Sequence, residues 1–243
     1  MTKSKMYTTI AKYYDSQYSW KKYDEEAKYL DLVINKFKKS NGFEMLDVAC
    51  GTGSHIKYFK GKYKVTGLDY NQEMLNIAKE KNPNINFING DMINFKIKNK
   101  FDIIVCLFSS ISYLNSYSKL EKCIKNFVNH LKPGGVVIFE PFIESNLFKS
   151  VKPANFMIYE DSELKIARVN DSIKIKDKAF LKFHYLISNL NGVEYFSEEH
   201  EIMLFEKLKV IEIMKKLGFE KSTFDKVGLM PGRGLYIGRK SLN

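Results

Sequence analysis

The chain has 243 residues, 44% of them hydrophobic and 28% charged, with five Pro and fourteen Gly. This composition excludes disordered and fibrous chains and leaves room for one α/β core with an elaboration, not for two large independent domains. The net charge of +11 would suit an anionic partner, but the lysines are scattered over the polar sides of predicted helices (Lys36, Lys38, Lys79, Lys81, Lys122, Lys125). They read as a solvated basic surface rather than a nucleic-acid face. No apolar run is long enough for a membrane span and Met1 to Lys5 lack a signal-peptide core, so a cytoplasmic location away from membranes is expected. Cys50, Cys106 and Cys123 have no metal-type spacing and read as reduced thiols.

In chain order, apolar residues from Tyr23 to Phe37 recur at three- and four-residue steps and predict an amphipathic helix. Phe43 to Cys50 predicts a short buried strand that ends in Gly51-Thr52-Gly53. The unit then repeats as strand 64–68, helix 71–81, strand 85–88 and strand 101–108. Alternating strands and helices predict a parallel sheet with right-handed crossovers. A helix carrying Leu120, Ile124, Phe127, Val128 and Leu131 has His130 at its end, favourable to the helix dipole. Pro133-Gly134-Gly135 stops it before the strand Val136-Val137-Ile138. From about Phe156 to Phe205 the pattern turns β-rich, with Asn191-Gly192 as a turn signal. A helix closed by Gly218 and two strands, near 220–227 and 235–238, end the chain as an expected edge hairpin. The expected fold is α/β: a Rossmann-like, doubly wound, mostly parallel seven-stranded sheet with an antiparallel β insert. Its expected parts are residues 1–145, 146–205 for the insert, and 206–243 completing the sheet.

The stretch Leu46 to His55 carries the first chemical signal. A glycine-rich turn directly after the first parallel strand lets a backbone approach a cofactor where side chains would collide. A dinucleotide is disfavoured, because Ile56 stands at the third glycine position of G-x-G-x-x-G. Asp69, which closes the second strand 18 residues beyond Gly51, is placed to accept hydrogen bonds from two ribose hydroxyls. Cys50 reads as a small turn residue with nothing nearby to activate a thiolate.

These residues resemble the first two motifs of class I S-adenosylmethionine (SAM)-dependent methyltransferases. Gly90-Asp91-Met92, Phe101 to Cys106 and Leu131 to Gly135 match that family's later landmarks in order. Ala49 stands where the family's first glycine would. The resemblance implies SAM as cofactor, held by Asp47, Ala49, Gly51, Thr52, Gly53, Asp69, Tyr70, Met74, Asp91, Met92 and Phe108. Within the class, several segments resemble the N,N-dimethyltransferases of deoxyaminosugar biosynthesis: Tyr13-Tyr14-Asp15, Phe108 to Leu114, Glu140-Pro141, Ala167-Arg168-Val169, Tyr195-Phe196-Ser197, His200 and Gly232-Arg233-Gly234-Leu235. The likeness implies stepwise methylation of an amine on a dTDP-linked sugar, a small-molecule substrate roofed by the insert; a monomer or homodimer is expected. It puts Tyr14 over the active site and Tyr113 where some relatives carry His. A phenol ionising near 10 is a poor base at neutral pH, so Tyr113 is expected to orient rather than abstract. Arg168, Arg233 and His200 are expected on the nucleotide-sugar side, because a guanidinium grips a diphosphate through a planar fork of donors. The three arginines are Arg168, Arg233 and Arg239, and Arg239 reads as a surface charge. The same SAM-binding half would also serve another small amine, an RNA, or a regulatory module without activity.

Overall fold

The computed structural model describes residues 11–242, apart from the side chains of 151–154. Its main sheet is built from β1 (Glu44–Val48), β2 (Lys64–Asp69), β3 (Asn86–Asn89), β4 (Phe101–Cys106), β5 (Leu131–Phe139), β10 (Phe219–Asp225) and β11 (Leu235–Lys240). The strand order is β10-β11-β5-β4-β1-β2-β3. The run from β3 to β5 is parallel, and β11 lies antiparallel against both β5 and β10. The edge hairpin is as expected.

Side chains of successive strand residues point to opposite faces, and here both faces are covered. Met45, Val65, Ile103 and Val105 pack with Leu30 and Ile34 of α2 (Tyr23–Phe37), Ile56 and Phe59 of α3 (Ile56–Phe59) and Leu75 and Ala78 of α4 (Gln72–Lys81). Leu46, Leu68, Ile104 and Cys106 pack with Leu120, Ile124 and Phe127 of α5 (Tyr117–His130) and Val210 and Met214 of α6 (Lys207–Lys216). Two interior faces explain why these strands read as unbroken apolar runs. Asn71 caps α4 by accepting from the Met74 N–H at 3.1 Å.

A second sheet holds β6 (Val151–Glu160), β7 (Lys165–Ile175), β8 (Lys178–Asn189) and β9 (Gly192–Met203) as an antiparallel meander. Asn189 pairs with Gly192, so Leu190 and Asn191 form the hairpin tip, one residue earlier than the sequence signal suggests. The Asn189 carboxamide oxygen takes the Asn191 N–H at 2.8 Å and fixes that turn locally.

His130 departs from its expected role. Its Nδ1 lies 2.8 Å from the Asn126 carbonyl, its Nε2 accepts from the Ile97 N–H at 3.2 Å, and burial lowers its pKa. An imidazole that accepts a hydrogen bond is neutral, so no cation faces the helix dipole there. Among the described residues no helix is long and apolar enough to cross a membrane, and no cluster of His, Cys, Asp and Glu could hold a metal.

Candidate active site

β1 lies between β2 and β4, and chain connections leave these neighbours in opposite directions. In open α/β sheets the crevice at this switch point, beyond the C-terminal strand ends, is where ligands bind. The residues just past β1, β2, β4 and β5 meet there.

The turn after β1 is shaped by positive φ angles at Ala49 (56°), Gly51 (55°) and Gly53 (71°). A Cβ on Gly51 would meet only the Met74 Cε, at 3.5 Å, so its backbone faces open space, and its φ of 55° is one that glycine adopts without strain. Asp69 accepts from the N–H groups of Gly51 at 2.8 Å and Asn71 at 2.9 Å, which fixes the turn to the end of β2. Burial raises the Asp69 pKa, and these N–H groups oppose the shift. Asp47 is 2% exposed. Among the described residues no group donates to its carboxylate, and burial followed by the charge of Asp69 pushes its pKa up to about 8.

A cleft is lined by Tyr14, Tyr23, Asp47, Ala49, Gly51, Thr52, Leu107, Phe108 and Ser110. The Asp47 carboxyl in its lining, the Asp69 carboxylate just behind the Gly51 N–H and an unencumbered backbone suit a ligand that carries hydroxyls and a cation. SAM, with its ribose and its amino-acid ammonium, meets that requirement. Met74 is buried, Tyr70 is 59% exposed, and Asp91 caps its own turn by accepting from the Ile93 N–H at 2.8 Å. Met92 packs half-buried against the core. Burial, then Asp47 and Asp69, raises the Cys50 pKa, so that thiol is inert as expected.

Beyond β4 the chain makes an unusual turn. Phe108 and Ser109 have φ of 53° and 62°, consecutive left-handed residues that are not glycine. Such geometry persists only where surroundings enforce it. Here the Phe108 N–H donates to Glu140 Oε2 at 2.6 Å, the Ser109 hydroxyl donates to the Pro141 carbonyl at 2.8 Å, and Arg233 Nη1 donates to the Ser109 oxygen at 2.9 Å. The Arg233 guanidinium also lies over the rings of Phe108 (5.6 Å) and Phe142 (5.1 Å).

The N-terminal segment closes over this crevice. Asp15, on α1 (Tyr14–Gln17), accepts from Thr52 Oγ1 at 2.6 Å and Ser54 Oγ at 3.0 Å, and pairs with Lys81 at 2.5 Å. Lys21 bonds Glu26, whose other oxygen lies 2.7 Å from His55 Nε2.

A collar of rings and guanidinium groups follows. The Phe108 ring stands edge-on to Tyr18 at 4.9 Å, Tyr18 lies 5.8 Å from the Arg168 guanidinium, and that group lies 5.1 Å from the Phe183 ring. Phe183 meets His200 at 5.0 Å, and the His200 Nδ1 lies 2.8 Å from the Tyr113 hydroxyl. Tyr113 returns through the 3-10 turn Ser110–Tyr113 to Phe108. The collar thus joins the loop after β4, the N-terminal segment and the inner face of the second sheet.

Of the residues expected on the nucleotide-sugar side, Arg168 and Arg233 flank the collar with guanidinium groups. His200 has Tyr113 at one ring nitrogen and Glu198 3.0 Å from the other. Arg239 does pair at the surface, with Glu220 at 2.5 Å. Trp20 is 54% exposed and leans on Tyr18 at 6.3 Å. Sequence reasoning gave no role to Tyr18 or Glu198, which carry no signal beyond their residue type, and took Asp15 and Glu140 only as parts of the resembling segments Tyr13-Tyr14-Asp15 and Glu140-Pro141.

A methyltransferase-domain family profile matches residues 45–135. The chain is 31% identical to a dTDP-3-amino-3,4,6-trideoxy-alpha-D-glucopyranose N,N-dimethyltransferase of Streptomyces venezuelae, over 88% of this chain and 89% of that one. It is 30% identical to a dTDP-3-amino-3,6-dideoxy-alpha-D-glucopyranose N,N-dimethyltransferase of Streptomyces fradiae, over 94% and 90%. The crystal structure of DesVI from Streptomyces venezuelae superimposes with a TM-score of 0.88 at 29% identity, covering 96% of this chain and 98% of DesVI. The chain therefore belongs to the SAM-dependent methyltransferases, in the family of these N,N-dimethyltransferases, and SAM is its methyl donor.

Proposed function

We propose that this enzyme methylates, in two steps, the amino group of a dTDP-linked deoxyaminosugar. The observation that carries this reading is the extent of the likeness: 88% of this chain aligns with 89% of an aminosugar N,N-dimethyltransferase, so it spans the second sheet as well as the common SAM-binding half. Residues 1–145 and 206–243 hold the donor in this reading, and residues 146–205 roof the acceptor. The enzyme works in the cytoplasm as a monomer or homodimer on a small molecule, not on nucleic acid or at a membrane.

When bound, SAM supplies a sulfonium-activated methyl group. Asp69 would hold the ribose hydroxyls, Asp47 would support the methionine moiety, and the backbone from Ala49 to Gly53 would approach the cofactor directly. Tyr70, Met74, Asp91, Met92 and Phe108 would contact the rest. Tyr14 and Tyr113 face the acceptor nitrogen. Arg233 and Arg168 are rigid donors for the diphosphate, and their stacking on aromatic rings leaves little side-chain entropy to lose on binding. Holding the nitrogen in line with the methyl–sulfur bond can supply much of the rate. Incubation with SAM and a panel of dTDP-aminosugars should give products heavier by one and then two methyl groups. Methylation of simple amines with none of the dTDP-sugars would sink the proposal.

A further inference from the structure

Two buried ionisable side chains, Glu198 and His200, stand on the inner face of β9 with no part in the donor site. Their spacing of two puts both on one side of the strand, opposite Phe183 and Leu181 of β8. The side chains are 2% exposed for His200 and 5% for Glu198, with Nε2 and Oε1 3.0 Å apart. The other imidazole nitrogen meets the Tyr113 hydroxyl at 2.8 Å, and Tyr113 is 39% exposed. The negative charge of Glu198, at ion-pair distance from Nε2, favours a proton on that nitrogen, an arrangement in which Nδ1 accepts from the phenol. The Tyr185 hydroxyl of β8 donates to the same Glu198 oxygen at 3.3 Å. Among the described residues, Arg168 of β7, stacked on Phe183, and Tyr18 of the N-terminal segment, beside Arg168, are further charged or titratable groups near the pair.

We propose that Tyr113, His200 and Glu198 form a proton relay for the acceptor nitrogen, with Tyr113 touching the substrate and His200 and Glu198 as positioning residues behind it. The relay rests on the reading that the acceptor is an amine. An amine is largely an ammonium ion in neutral water and has no lone pair to give. A phenol alone cannot take that proton near neutrality, since it ionises about three pH units higher. With His200 behind it the phenol need not ionise. The ammonium proton passes to the Tyr113 oxygen as the phenol proton passes to His200 Nδ1, and Glu198 neutralises the resulting imidazolium. The freed nitrogen lone pair then forms the N–CH3 bond as the methyl–sulfur bond breaks and the sulfonium becomes a thioether. The proton on His200 returns through Tyr113 to solvent before the next methylation.

The test compares kcat/KM from pH 6 to 10 for the wild type and for Tyr113→Phe, His200→Gln and the double variant, with SAM and a dTDP-aminosugar. S-adenosylhomocysteine binding and melting temperature serve as folding controls. Each single variant should lose about 100-fold at pH 7 and recover to within a few-fold of wild type at high pH, where the free amine is abundant. The double variant should be no worse than either single one, because all interrupt one path. Parallel losses at every pH, or no loss at pH 7, would overturn the relay. A wild type inactive on every dTDP-aminosugar would remove the acceptor reading and the relay together, a different outcome from an active wild type with parallel profiles. Long-range nitrogen–proton NMR of the four imidazoles, with His200 assigned from its Gln variant, gives a readout independent of turnover. The proton should sit on Nε2 in the wild type and redistribute in Glu198→Gln, and an Nδ1-protonated ring would overturn the relay.

Discussion

The two sides of the crevice are built on opposite chemical plans. The donor side is mostly backbone: a turn of left-handed residues, N–H groups aimed at Asp69, and two carboxylates, Asp47 and Asp69, whose pKa values burial raises. The acceptor side is mostly side chain: two guanidinium groups stacked on rings, with Tyr18, Phe183, His200 and Tyr113 completing the collar. A backbone cradle accepts one ligand whatever the rest of the chain does. A wall of side chains can change its ligand by single substitutions, so a shared donor half can serve many acceptors.

Four substitutions break or sharpen this contrast. The largest effect is expected for Asp69→Ala, which removes a charged acceptor for the ribose hydroxyls and leaves the Gly51 N–H without its partner. Affinity for S-adenosylhomocysteine should fall about 100-fold by calorimetry, roughly 3 kcal/mol, with dTDP binding little changed. Unchanged cofactor affinity would refute the donor-side assignment. Next, Arg233→Lys should raise the KM for the nucleotide sugar about tenfold and leave cofactor affinity alone, because an ammonium reproduces neither the fork nor the stacking. A change in cofactor affinity alone would move Arg233 to the donor side.

Asp47→Asn separates stability from binding. The folded Asp47 carboxyl is pushed up to about 8, whereas an unfolded one ionises near its ordinary value of about 4. Between those values the folded chain binds the extra proton, so stability falls as pH rises through the window and levels above it. The Asn variant should lose this fall and melt several degrees higher than wild type at about pH 8, measured without cofactor. It should also bind S-adenosylhomocysteine more weakly and cease to release a proton on binding at pH 7. A variant that melts lower at pH 8 would show the carboxylate to be structural. The smallest effect belongs to Ala49→Gly, which relieves a positive φ of 56°. Thermal melting should rise by about 2–4 °C, near 1 kcal/mol. No rise would show that the methyl group repays its strain by packing.

The donor half was legible in the sequence because its signals are local. Gly51, Gly53 and Asp69 announce themselves by type and by position after strands, and a parallel sheet buried on both faces writes its strands as apolar runs. The acceptor half was legible only in outline. Tyr18 sits in a short segment before the first long helix, and its meaning comes from Arg168, 150 residues away. Glu198 and His200 look like alternating polar residues of an exposed strand until the register of β9 turns both inward. The left-handed pair Phe108-Ser109 has no sequence mark, because Glu140, Pro141 and Arg233 impose it from elsewhere in the chain.

Asp15 spans Thr52, Ser54 and Lys81 and so straps the N-terminal segment across the glycine turn. The segment can swing off that turn only by releasing these contacts. Asp15 and Lys81 each keep about a third of their side-chain surface in water (38% and 33%), so dissolved ions weaken the fastening. Ionic strength is therefore a handle on how firmly the start of the chain is held against the donor pocket.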